Sequence, residues 1–404
     1  MHRRHLLTGL TGLAGAALGL PSTQLWAADG DRNAPRFLLV FLRGAYDAAN
    51  LLVPYASPFY YEARPNIAVP APGQNTLTAT ALDARWGLAP AVATSVLPLY
   101  QRGQAAFVPF AGCSDTSRSH FETQDRIELG QADTGSRDFR SGFMNRLAQA
   151  LGANSASRLE AMAFTDQVPL VLRGSLPVGN QALRDVGKPA ITKPQAQAIA
   201  QMYAGTRLGD SVSGGFEVRE EVAREMAGEM EAASRNAIGS KGFALEARRI
   251  ARLMRDRVTL GFIDVGGWDT HVGQGGATGA LAGKLSELGQ GLATFADEMG
   301  PQWANTVVVV VSEFGRTFRE NGNRGTDHGH GSAYWVLGGG IQGGRVVGEQ
   351  VDISAATLFQ NRDWPVLNDY RGMLGGLFAR LYGLNASQLA SVFPGASPLD
   401  FKLV

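Results

Sequence analysis

Residues 306–344 read TVVVVVSEFGRTFRENGNRGTDHGHGSAYWVLGGGIQGG. Five consecutive valines, Val307 to Val311, open the stretch. A short, wholly apolar β-branched run is the pattern of a strand buried on both faces, as in a parallel sheet. The chemistry then changes at once. Ser312, Glu313 and Arg316 stand where the strand should end, and a Gly/Asn-rich loop leads to Asp327, His328 and His330. A second apolar run, Tyr334 to Leu337, closes on Gly338-Gly339-Gly340, read as a turn. In open α/β sheets, ligands bind beyond the carboxyl ends of the strands, so these polar groups are candidate site residues.

The chain has six histidines: His2, His5, His120, His271, His328 and His330. The last four lie in polar loops beside Asp, Ser, Thr or Gly, and two share the tripeptide 328–330. Asp327-His328-Gly329-His330 together with Asp269-Thr270-His271 offers imidazole and carboxylate donors of the kind divalent metals take. Glu313 is a further candidate, as ligand or as the partner that orients a ligand histidine. A structural zinc site would favour cysteine, and the chain has only Cys113.

Working outward, Phe37–Leu42, Ala105–Phe110 and Val258–Val265 read as further central strands. Each is followed by a polar turn: 43–47 with Asp47, 114–120, and 266–271. Parallel strands would bring all four ends to one edge. Leu88–Tyr100, Phe121–Leu129, Gly279–Met299 and a stretch after Tyr370 read as helices, as does much of Glu217–Arg257. LEAMAF (159–164) and PLVLRG (169–174) read as short strands. Pro54–Gly73 reads as an ordered surface excursion, and 178–215 as an accessory lobe. Strand–helix alternation of this kind predicts a doubly wound α/β sandwich with a mostly parallel central sheet.

Metal, hydroxyl nucleophile and arginine form the set that phosphoryl or sulfuryl transfer needs. Ser117, Ser119 and Thr116 are candidate nucleophiles, with His120 beside them and Arg118 or Arg316 to hold the anion. The alternative for the hydroxyls is to cap the following helix, whose first turn carries Glu122. The run Cys113 to Arg118 is similar to the sulfatase signature Cys-x-Pro-Ser-Arg, but it lacks the proline and has one residue too many. Formylglycine chemistry is therefore not expected.

The 37 basic and 36 acidic residues nearly cancel, which gives no reason to expect nucleic acid or a membrane surface as partner. Arg3-Arg4, the uncharged run Leu6–Leu20 and Leu25-Trp26-Ala27-Ala28 have the layout of a cleavable export signal over residues 1–28. The paired arginines and weakly hydrophobic run resemble a twin-arginine signal. That implies passage through the twin-arginine translocon to a periplasmic or secreted location, without a stable transmembrane anchor. Residues 29–404 would form a single domain. One cysteine excludes an internal disulfide.

The motifs LRGAYDAANLLVPY, SRSHFETQD, GGWDTH, SEFGRT, TDHGHGS and VLGGGIQGGRVVG, in that order, resemble the twin-arginine-exported domain-of-unknown-function family 1501. That family is similar to a distant branch of the alkaline phosphatase and sulfatase superfamily. The resemblance implies a three-layer α/β/α sandwich and one or two divalent metals (Zn, Mn, Ca or Mg) at the strand ends. It aligns Glu313 with a metal Asp and places Phe314 where the superfamily has His. Asp269, His271 and His328 or His330 resemble metal ligands, and the 114–119 turn falls at the nucleophile. The expected function is an exported metal-dependent hydrolase of small phosphate or sulfate esters. The alternative is a non-catalytic binding or assembly protein that keeps the fold.

Overall fold

The computed structural model describes residues 34–132, 137–152, 161–183, 193–209, 212 and 242–404. The expected export signal, residues 1–28, lies outside the described residues, as do 184–192 of the expected lobe and, apart from 212, residues 210–241.

Twelve strands are described. In chain order they are β1 (Arg36–Leu42), β2 (Leu52–Val53), β3 (Thr80–Ala81), β4 (Gly87–Leu88), β5 (Ala105–Gly112), β6 (Ala161–Ala163), β7 (Gly179–Asn180), β8 (Leu260–Val265), β9 (Thr306–Ser312), β10 (Ser332–Gly338), β11 (Arg345–Val346) and β12 (Asn368–Asp369). Nine of them form one sheet in the order β11-β5-β10-β9-β1-β8-β6-β7, with β12 also paired to β5. β1 lies between β8 and β9, parallel to both, with Val40 opposite Ile263 on one side and Val310 on the other. β10 is antiparallel to both β9 and β5, and every other pairing in this sheet is parallel. The carboxyl ends of β1, β5, β8 and β9 therefore share one edge. β10 starts at that edge, so the loop 313–331 stays beside the other strand ends.

The apolar strands are buried on both faces, as their composition predicts. Leu38, Val40 and Leu42 join one core with Val308 and Val310. Helices Phe243–Asp256 and Ala280–Met299 contribute Ile250, Leu285 and Leu292 to that core. Phe37, Leu39 and Phe41 join a second core with Val307, Val309 and Val311. Leu147, Leu374 and Leu389 enter it from helices Phe143–Ala150, Tyr370–Tyr382 and Ala386–Val392. The result is a mixed α/β fold around a large, mostly parallel sheet.

Three local expectations are corrected. Leu88–Tyr100 is not one helix: Pro90 opens a 3-10 turn, Pro90–Val92, and a short helix Val96–Gln101 follows. The prolines at 90 and 98 interrupt continuous helical hydrogen bonding. Leu170–Leu172 is a 3-10 turn and not a strand. Pro54–Gly73 is ordered, with Pro58 and Asn66 exposed, but not wholly at the surface, because Tyr60, Arg64, Ile67 and Val69 within it are buried. Among the described residues no helix is long and apolar enough to cross a membrane.

Candidate metal centre

Three strand-end segments meet at one point. The turn after β5 leads into helix His120–Leu129, so His120 sits in that helix's first turn. The turn after β8 supplies Asp269 and His271, and the loop after β9 supplies His328. Nε2 of His328 lies 2.9 Å from Nε2 of His120 and 3.1 Å from Nε2 of His271. The Asp269 carboxylate faces the same point: Oδ1 is 2.8 Å from His271 Nε2 and 3.3 Å from His328 Nε2, and Oδ2 is 3.6 Å from His120 Nε2. His120, Asp269 and His328 form a group able to hold a metal ion.

The opposite ring nitrogens determine what these Nε2 atoms present. Nδ1 of His120 is 2.8 Å from Glu313 Oε1. Nδ1 of His271 is 3.2 Å from Asp327 Oδ1, and Nδ1 of His328 is 3.0 Å from the Arg118 carbonyl. A carboxylate or carbonyl oxygen can only accept, so the neutral rings of His120 and His328 carry their proton on Nδ1; His271 has an acceptor at each nitrogen, Asp327 at Nδ1 and Asp269 at Nε2. Nε2 of His120 and Nε2 of His328 then turn lone pairs toward the common point. Lone pairs this close repel unless a proton or cation lies among them. The edge of a tetrahedral site with metal–nitrogen bonds of 2.0–2.1 Å is about 3.3 Å, and the separations of His328 Nε2 and the Asp269 carboxylate from the other donors, 2.8–3.6 Å, bracket it. Imidazoles whose other nitrogen is held by carboxylate or carbonyl are the usual outer arrangement of metal histidines. The donor set fits a divalent cation.

The electrostatics divide the roles. Glu313 is fully buried, which pushes its pKa up. Hydrogen bonds from His120, Gln124 Nε2 (2.9 Å) and the Gly44 amide (2.8 Å) outweigh that and hold it below the usual carboxylate value. Its partner His120 is raised, chiefly by the Glu313 hydrogen bond. His328 is lowered, first by burial and then by the neighbouring His120. Asp269 is lowered: burial opposes this, but the Arg316 guanidinium at 2.6 Å prevails. Asp327 is lowered mainly by the Asn321 side-chain amide at 3.0 Å. Phe314 closes the inner wall, its ring centroid 5.0 Å from His120 and 5.3 Å from His328.

The predicted site residues thus separate into those that converge and those that do not. His120, Asp269, His271 and His328 converge; Glu313 and Asp327 stand behind two of the rings. His330 does not converge. Its ring packs 4.7 Å from Phe359, on the far side of the bend at Gly329–Gly331. The Arg316 side chain has 0% exposure and is taken up by Asp269, by the Thr326 hydroxyl at 3.2 Å and by the Thr326 carbonyl. Arg118 turns its guanidinium away to Asp363 (2.7 Å) and brings only its carbonyl to the centre. Ser117 Oγ donates to Asp115 Oδ2 at 2.7 Å, and Ser119 Oγ caps its helix by accepting from Glu122 N at 3.5 Å. Asp47 does not join the centre: it forms a fully buried pair with Arg64 at 2.5 Å.

Sequence reading missed Gly44, Gln124 and Asn321. For Gln124 a signal existed: it lies one helical turn after His120, so both reach the same Glu313 oxygen. Gly44 has φ +115°, and an added Cβ would lie 2.8 Å from the Asp269 amide nitrogen. Gly44→Ala should therefore cost roughly 1–3 kcal/mol of backbone strain and displace the Glu313 and Asp269 loops together. Thermal unfolding checks this; an unchanged midpoint would contradict it.

Among solved structures, the chain is similar to Ps i-CgsB in complex with k-i-k-neocarrahexaose, at 10% identity and a TM-score of 0.40, over 88% of this chain and 74% of that one. It is also similar to a second structure of Ps i-CgsB, at 11% identity and a TM-score of 0.35 over the same shares. No curated protein matches the chain. The model of the family described as Protein of unknown function (DUF1501) matches residues 34–393, and the chain belongs to that family.

Proposed function

We propose that this protein is an exported hydrolase of small phosphate or sulfate esters, dependent on one divalent metal held by His120, His271, His328 and Asp269. The observation that carries the reading is the convergence of three Nε2 atoms, each ring held from behind by an oxygen at Nδ1. Of the expected metals, zinc suits a set dominated by imidazole; Ca and Mg favour all-oxygen shells. A bound divalent cation would supply Lewis acidity toward an anionic ester oxygen and make a nearby water more acidic.

The residues of the chain do the rest. Glu313, Asp327 and the Arg118 carbonyl hold the three rings in orientation, and Arg316 holds Asp269 ionised and aimed inward. Ser117 and Ser119 are committed to Asp115 and to the helix cap, which favours water over serine as nucleophile. The proposal includes a three-layer α/β/α sandwich related to the alkaline phosphatase superfamily, supported by apolar cores on both faces of the sheet. It also includes twin-arginine export, supported by Arg3-Arg4 and the run that follows.

A second reading, metal or ligand binding without turnover, is favoured by one feature. Arg118 and Arg316 both have carboxylate partners, so neither offers an open anion clamp. Aryl phosphate and aryl sulfate turnover by the zinc-loaded protein separates the two. The hydrolase reading expects turnover that chelation abolishes and zinc restores. Bound zinc with no turnover would favour the second reading, and absence of metal binding would overturn both.

Proton linkage gives a further check. His120 is raised, so the metal-free protein keeps a proton there to a higher pH than free histidine does. Binding should displace it. Zinc affinity should then rise with pH, by up to about tenfold per unit below the His120 pKa. Calorimetry in two buffers of different ionisation enthalpy, below the His120 pKa, should find about one proton released per zinc; no release there would contradict a protonated His120 in the metal-free protein.

A further inference from the structure

Behind the metal centre lies a buried polar chain that the centre's own partners do not explain. The Asp47 carboxylate accepts from Gln274 Nε2 at 2.6 Å. Gln274 Oε1 accepts from the hydroxyls of Thr326 at 2.9 Å and Thr270 at 3.0 Å. Thr326 Oγ accepts from Arg316 Nε at 3.2 Å, and Arg316 Nη1 reaches Asp269 Oδ1 at 2.6 Å. Gln274, Thr326 and Asp47 are essentially inaccessible to solvent.

The direction of every bond in this chain follows from chemistry. A carboxylate only accepts, so Asp47 fixes which end of the Gln274 amide faces it. The carbonyl end must then face the threonines, and the Thr326 proton must point to Gln274. That leaves a Thr326 lone pair for Arg316, whose guanidinium only donates. Reversing any member would put two donors or two acceptors together in a dry interior, where an unmet polar group is costly.

We propose that Gln274 is a positioning residue for the metal centre, acting through the Thr326 hydroxyl to lock Arg316 and so to aim the Asp269 carboxylate at the three imidazoles. The proposal rests on the reading of Asp269 as a metal ligand. It adds that the aim is set about three side chains away, from the buried Asp47. The same lock joins the two loops that carry His271 and His328, because Gln274 follows β8 and Thr326 follows β9.

The test is zinc affinity of the full chain, by competition with a chromophoric chelator, in wild type, Thr326→Val, Thr326→Ser and Gln274→Leu. Thermal unfolding confirms that each variant is folded. Thr326→Val and Gln274→Leu should bind zinc about tenfold more weakly, as outer partners of ligands do. Thr326→Ser, which keeps the hydroxyl, should stay near wild type. Valine binding as tightly as wild type would overturn the inference. So would serine binding as weakly as valine, since volume and not the hydroxyl would then matter. Should Gln274→Leu fail to fold, the two Thr326 variants decide alone. Wild type binding zinc while Thr326→Val is unmoved removes only this inference; wild type without zinc removes the metal reading and this inference with it.

Discussion

His328→Ala should weaken zinc binding by more than the roughly 10–100-fold that loss of an outer partner costs, while leaving the protein folded. His328 is the central donor: its Nε2 is the one within 3.1 Å of both other Nε2 atoms. Its removal leaves His120 and His271 without the ring that lies between them. The fold should survive, because the His328 side chain is 28% exposed and its backbone stays held by the bridge to Arg316. Glu313→Gln is the matched comparison. It keeps the shape but loses the carboxylate that fixes the His120 tautomer, so its effect should fall inside the outer-partner range. Metal per chain after dialysis, with thermal unfolding as control, separates the two. A His328→Ala protein that retains metal would contradict the assignment.

Arg64→Ala should be the most destabilising single change at the strand-end edge, at about 3–5 kcal/mol. Arg64 holds Asp47 through two contacts, at 2.5 and 3.0 Å, with neither side chain reaching water. It also donates to the Thr317 and Phe318 carbonyls, pinning the loop that carries His328. Truncation leaves the Asp47 carboxylate buried beside Gln274 with its main counter-charge gone. Such a loss is a large part of the stability of a typical domain, about 5–15 kcal/mol. Replacing both charges with apolar side chains of similar volume, Asp47→Leu with Arg64→Met, should recover part of it. Denaturant unfolding measures both. A loss below about 1 kcal/mol, the range of an exposed pair, would contradict a structural role for the ion pair.

The strands were legible because burial on two faces leaves a simple mark. Val307–Val311 could not alternate with polar residues, since the valines divide between two cores. The shared edge followed from parallel pairing, and with it the convergence of His120, His271, His328 and Asp269. What sequence could not give was the distinction between donors and the groups behind them. Glu313 and Asp327 differ from Asp269 only by the width of an imidazole ring, a distance set by loop shape. Nor did it separate His328 from His330. Two residues apart in extended chain they would share a side, but the backbone bends after Gly329, where an added Cβ would lie 2.4 Å from the Arg316 carbonyl carbon. The Asp47–Arg64 pair was illegible because nothing local announces a partner 17 residues away. Ser117 and Ser119 looked like nucleophiles and also like turn and cap residues, and their side-chain bonds to Asp115 and to the Glu122 amide are of the second kind.

The most direct measurement is a crystal structure of the zinc-loaded protein with data collected on both sides of the zinc absorption edge. The expected result is one strong anomalous peak, bonded to Nε2 of His120, His271 and His328 and to the Asp269 carboxylate, with His330 apart from it. A peak elsewhere on the chain, or no peak among these four side chains at full zinc occupancy in solution, would contradict it.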